Sequence, residues 1–142
     1  MNINESLGVP DGLTKEAKRI KTEFLEKISN LNIDTSSGWP NFIIVGIWDI
    51  KFSDFEIIGL PIILRIEKYD NLDYPVLLGA TYGNKSEWMQ KSGKLYLSSN
   101  IPTSFISIDI ACEKIDQDKI KDLLKKEVAA PLFAHEMHHL YE

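Results

Sequence analysis

The sequence predicts an α+β domain: a mixed or antiparallel sheet of about five strands, with an N-terminal helix and a C-terminal helix packed on it. Three observations carry this expectation. An apolar stripe at helical spacing opens the chain, β-branched and aromatic runs between turn residues fill its middle, and helical patterning returns after Asp116. The length of 142 residues suits one domain over 1–142, long enough to bury a core without disulfide staples.

Residues 1–12 read as an irregular lead-in. Leu13, Ala17, Ile20, Phe24, Ile28 and Leu31 then recur on one helical face, with Thr14 as the N-cap. The turn-rich "NIDTSSGWPN" ends this helix. "NFIIVGIWDIKF" (41–52) is apolar almost throughout, which predicts a strand buried on both faces. In 55–69, Gly59 and Pro61 predict a split or a bend. Pro61 has no N–H to give a ladder, so an edge position or a bulge is expected there.

"DNLDYP" is a turn, 75–82 a third strand, 83–94 a polar loop or short helical turn, and "KLYLS" (94–98) a further strand. "SFISIDI" (104–110) alternates Ile106, Ile108 and Ile110 with Ser107 and Asp109, a strand with one polar face. That face makes Asp109 a solvated or cleft-lining carboxylate. "DQDKIKDLLKKEV" places acids first and lysines last, as the helix dipole favours. Pro131 cannot sit in a helix interior, so a final helix restarts near Ala130 with Pro131 in its first turn.

Composition narrows the function. Hydrophobic residues make up 44% and charged residues 26%, ordinary for a soluble globular chain. No apolar run is long enough for a bilayer, and "MNINESLGVPDGLTKEAK" has no signal-peptide pattern, so a cytoplasmic location is expected. The net charge is −5 and Arg19 and Arg65 are the only arginines, which argues against a nucleic-acid partner. The lone Cys112 excludes an internal disulfide framework and reads as a small buried residue. The Ile, Lys and Asn content suggests a low-GC genome, bacterial or phage.

All three histidines fall inside "FAHEMHHLYE" (133–142), where His135, Glu136 and His139 satisfy H-E-x-x-H. Residues four apart lie one turn apart on one helix face, so two imidazoles can converge on one ion. On a helical wheel Phe133, Met137, Leu140 and Tyr141 form an apolar stripe, and His135 and His139 lie roughly opposite it. Glu136 lies to one side, and His138 reads as a bystander.

At these residues the chain resembles the zincin superfamily of zinc metallopeptidases, whose hallmark is H-E-x-x-H on an active-site helix. The strand-then-helix order over roughly 94–142 adds looser likeness. The resemblance implies Zn²⁺ bound by His135 and His139, with Glu136 as general base on a zinc-activated water. The implied reaction is hydrolysis of a peptide or amide bond in a peptide or protein substrate. It also implies a strand that pairs with extended substrate, for which "KLYLS" and "SFISIDI" are the candidates.

A catalytic zinc needs a third protein ligand. The metzincin pattern wants a glycine where Glu142 stands, and the gluzincin pattern wants a glutamate on a later helix. Glu142 is the local candidate, Cys112 a remote one, and a chain continuing beyond 142 is a third source. The alternative reading is a non-catalytic structural or assembly protein with a zincin-like fold and an incomplete metal site. Viral origin would then place it in the virion with a protein assembly partner. A structural zinc site needs four ligands, usually rich in cysteine, and one cysteine does not suit it.

Overall fold

The structure, a computed structural model, describes residues 11–33, 42–52, 55–84 and 104–141. In chain order these form α1 (Asp11–Asn30), β1 (Phe42–Phe52), β2 (Phe55–Lys68), β3 (Val76–Asn84), β4 (Ser104–Cys112), α2 (Gln117–Glu127) and α3 (Ala130–Tyr141). The fold is α+β, with an N-terminal helix, a mixed sheet and two C-terminal helices. The described sheet has four strands, not about five, in the order β1-β2-β4-β3. "KLYLS" and most of 83–94 lie outside the described residues.

The stripe on α1 buries Leu13, Ala17, Ile20, Phe24 and Ile28 completely. The helix begins at Asp11, so Thr14 stands in its first turns and is not its cap. The stripe packs on the same sheet face as α2 and α3, against Leu60, Ile62, Leu64 and Ile66 of β2 and Ile106, Ile108 and Ile110 of β4. Helices therefore occupy one face of the sheet, where period two on the strands meets period 3.6 on the helices.

The pairings β1–β2 and β3–β4 are antiparallel, and β2–β4 is parallel, with Ile62 opposite Ile106 and Lys68 opposite Cys112. β1 is an outer strand, so the expectation of burial on both faces fails. Val45, Trp48 and Ile50 are buried, whereas Ile47 is half exposed and Asp49 and Lys51 are wet. An outer strand tolerates such a wet face, and its apolar run alone does not reveal its place in the sheet.

β2 is continuous through Gly59 and Pro61 and lies inside the sheet. Gly59 adopts φ 76° beside a bulge between Trp48 and Ile50, and its N–H donates to Asp49 Oδ1 at 2.9 Å. The ladder to β4 starts only at Ile62, so Pro61 sits one residue outside that pairing while standing opposite Ile47 of β1. The predicted bend thus appears as a bulge, and the predicted edge exists only locally.

Asp116 caps α2, its side chain accepting from Lys119 N–H at 3.1 Å. Gln117 fastens the end of α1, accepting from Ile33 N–H at 3.2 Å and donating to Asn32 Oδ1 at 3.1 Å. α3 starts at Ala130 with Pro131 in its first turn, as the sequence predicts.

Candidate functional site

α3 carries H-E-x-x-H as one uninterrupted helix of 12 residues. Its position is fixed by Phe133, fully buried and edge-on to Phe24 of α1 with ring centroids 5.4 Å apart. Met137 and Ala134 are buried beside it, and α3 packs chiefly on α1 while touching β3 and β4. The buried arc holds Phe133, Ala134, Met137 and also Glu136, which is 7% exposed; His135 is exposed and His138 is half-buried.

His135 therefore lies opposite the apolar stripe, where the wheel places it. Glu136, expected to one side, lies largely inside the domain. His139 belongs to the helix, one turn beyond His135, with its side chain outside the description; Glu142 lies outside the described residues. Among the described residues no three His, Cys, Asp or Glu side chains cluster in a way that would hold a metal ion. Two imidazoles on adjacent turns with one in solvent remain compatible with zinc, a borderline-soft cation that takes nitrogen donors.

The polar-face carboxylate Asp109 and the remote candidate ligand Cys112 can both be placed. Asp109 alternates with the core residues Ile108 and Ile110, so it projects from the sheet face opposite α3. It is 4% exposed rather than solvated, and its carboxylate accepts from Arg65 Nε at 3.0 Å and from the hydroxyls of Ser107 and Thr81. Arg65 also pairs with Glu67. The sheet stands between Asp109 and the histidine helix, which removes it from any shared site. Cys112 is 1% exposed at the end of β4, and burial pushes its thiol pKa up.

Cys112 also borders a cavity of about 220 Å³ between the β2–β3 turn and the start of α2, with Tyr74, Asp116 and Lys119 on its walls. The Lys119 ammonium lies 4.8 Å from the centre of the Tyr74 ring. Sequence reasoning did not find the Arg65–Asp109–Ser107–Thr81 network. The available signal was the rarity of arginine: Arg19 and Arg65 both hold carboxylates through the guanidinium fork.

Among the described residues no helix is long and apolar enough to cross a membrane. No protein-family model matches the chain, and comparisons with curated proteins and with solved structures return no match.

Proposed function

We propose that the chain is a zincin-type, zinc-dependent metallopeptidase-like domain that hydrolyses a peptide or other amide bond. The observation that carries this reading is H-E-x-x-H on a helix whose apolar arc is docked and whose first histidine faces solvent. His135 and His139 hold the ion, and Glu136 is the base. A zinc ion held there would supply Lewis acidity and make a water more acidic, toward neutrality. Glu136 accepts the proton of the attacking water and delivers it to the leaving nitrogen. The third ligand comes from Glu142 or from chain beyond it, because Cys112 is buried at the end of β4 with its thiol pKa raised. Of the strands named for pairing with substrate, β4 is internal and "KLYLS" lies outside the described residues; among the described residues the outer strand touching α3 is β3. A cytoplasmic setting with a peptide or protein substrate fits this chemistry.

The test is metal analysis of the purified chain together with peptide hydrolysis. About one zinc per chain is expected, lost in His135→Ala and His139→Ala. Glu136→Gln should retain zinc while hydrolysis falls by at least about 10²-fold, as expected for loss of a general base. Zinc-free protein at neutral pH sinks the reading, and full turnover by Glu136→Gln removes Glu136 from its role.

A further inference from the structure

β2 and β4 run parallel and end side by side at Lys68 and Cys112. The two chains then part. The order β1-β2-β4-β3 takes residues 69–75 from β2 across the end of β4 to β3, whereas β4 runs on into α2. Chains that leave the carboxyl ends of parallel strands in different directions open a crevice, the usual ligand position in open sheets with parallel strands. Two hydrogen bonds tie its sides together. Tyr69 N–H donates to the Cys112 carbonyl at 3.0 Å, and Asn71 N–H donates to Glu113 Oε1 at 3.3 Å.

The cavity of about 220 Å³ occupies this crevice, and all nine residues that line it are described. It is smaller than the about 300–1,000 Å³ of sites for drug-sized ligands, which restricts it to a small metabolite. Its walls carry both signs of charge. Asp73, Lys114 and Lys119 line it, and among the described residues none of the three joins an ion pair. Glu113 and Asp116 are occupied differently, as acceptors from Asn71 N–H and Lys119 N–H. The Lys119 ammonium rests 4.8 Å from the centre of the Tyr74 ring, itself 68% exposed, and Leu72 and Pro75 add apolar wall.

We infer that this crevice binds a free α-amino acid with an apolar side chain. The ammonium of the ligand meets Asp73, its carboxylate meets Lys114 and Lys119, and its side chain lies on Leu72, Tyr74 and Pro75. A ligand of one sign would pair with one set of these charges and desolvate the other without a partner. A zwitterion satisfies both. The inference uses side chains at the carboxyl end of the sheet and stands whether or not α3 holds zinc.

Titration of the full chain with L-leucine, L-methionine and L-phenylalanine, followed by amide chemical shifts, is the measurement. At least one should bind with a dissociation constant of about 0.1–1 mM, as so small a ligand permits. The shifts should centre on residues 71–75 and 112–119. Leucinamide, which lacks the carboxylate, and 4-methylpentanoate, which lacks the ammonium, should each bind at least about tenfold more weakly than leucine. Asp73→Asn and Lys119→Ala should each weaken binding by about tenfold, while Lys125→Ala, on α2 but outside the cavity, leaves it unchanged. Should a variant fail to fold, the comparison of leucine with its two analogues on the wild-type chain decides alone. No saturable shift with any of the three amino acids up to about 10 mM overturns the proposal, as do shifts that centre elsewhere. Equal binding of 4-methylpentanoate overturns it in favour of a plain anion site, and equal binding of leucinamide in favour of a cation site.

Discussion

Arg65 and Asp109 stand directly opposite each other on the parallel strands β2 and β4, with Nε 3.0 Å from Oδ1. Asp109 is almost fully buried, and its two carboxylate oxygens accept from three side chains. The pair locks the register of the one parallel pairing in the described sheet, where a one-residue slip would turn Ile108 and Ile110 off the core.

Asp109→Ala should therefore destabilise the fold by about 2–4 kcal/mol, because it strands buried donors. The value lies toward the low end for buried pairs since Arg65 keeps Glu67 and is a quarter exposed. Replacing both partners, as in Arg65→Met with Asp109→Leu, should recover most of that loss. Urea unfolding of the three variants against wild type measures it. A double variant no better than Asp109→Ala would show that the network, and not the stranded charge, holds the strands.

What the sequence made legible follows the strength of each local signal. The stripe from Leu13 to Ile28 and the restart at Pro131 rest on periodicity and backbone chemistry, which are local, and both appear in the structure. The place of each strand in the sheet is non-local. β1 reads as central yet is outer, and β2 contains a proline yet is internal, because strand order depends on long-range pairing that no window contains. Asp109 was misplaced for the same reason: alternation marks a face, and only Arg65, 44 positions earlier, makes that face suitable for burying a carboxylate. Of the site, the helix and the outward histidine were readable from the wheel. The inward Glu136 was not, since the buried arc is wider than the apolar stripe.

Glu16 links α1 to β1 through Arg19 and Lys51 N–H. Its hydrogen bond from Arg19, offset in part by burial and aided by Lys51 N–H, holds its carboxyl below the ordinary value of 4.5. A depressed carboxyl stabilises the fold above its unfolded pKa, and that contribution disappears as pH falls through the folded value. Stability should thus decline below about pH 4.5 in wild type. Glu16→Gln should cost about 1–2 kcal/mol at pH 7 and weaken the acid dependence. Thermal unfolding from pH 7 to pH 3 compares the two curves; parallel curves would remove Glu16 from the acid response.

Phe133 and His135 sit two residues apart on α3 and should behave oppositely. Phe133→Ala removes the ring that meets Phe24 and leaves a cavity between α1 and α3, costing about 3–5 kcal/mol. His135 is exposed, so His135→Ala should cost at most about 1 kcal/mol in metal-free protein. Chelator-treated samples unfolded in urea give both numbers. Adding zinc then distinguishes binding from scaffolding, because an ion held only by the native state raises wild-type stability and leaves His135→Ala unchanged. An equal rise in both would take His135 out of the metal site.

Cys112 provides the sharpest control on where a third ligand can come from. Its thiol is 1% exposed, ends β4 inside the core, and has its pKa raised by burial, so the nucleophilic thiolate is scarce at neutral pH. An aromatic disulfide reagent should label the native chain far more slowly than the urea-unfolded chain, with protection that tracks global unfolding. Zinc added to the native chain should not change that rate, and Cys112→Ala should keep wild-type zinc content. A coordinated thiol behaves differently, because the ion holds it deprotonated. Zinc-dependent protection of Cys112, together with metal loss in Cys112→Ala, would move the third ligand from the end of α3 to the end of β4.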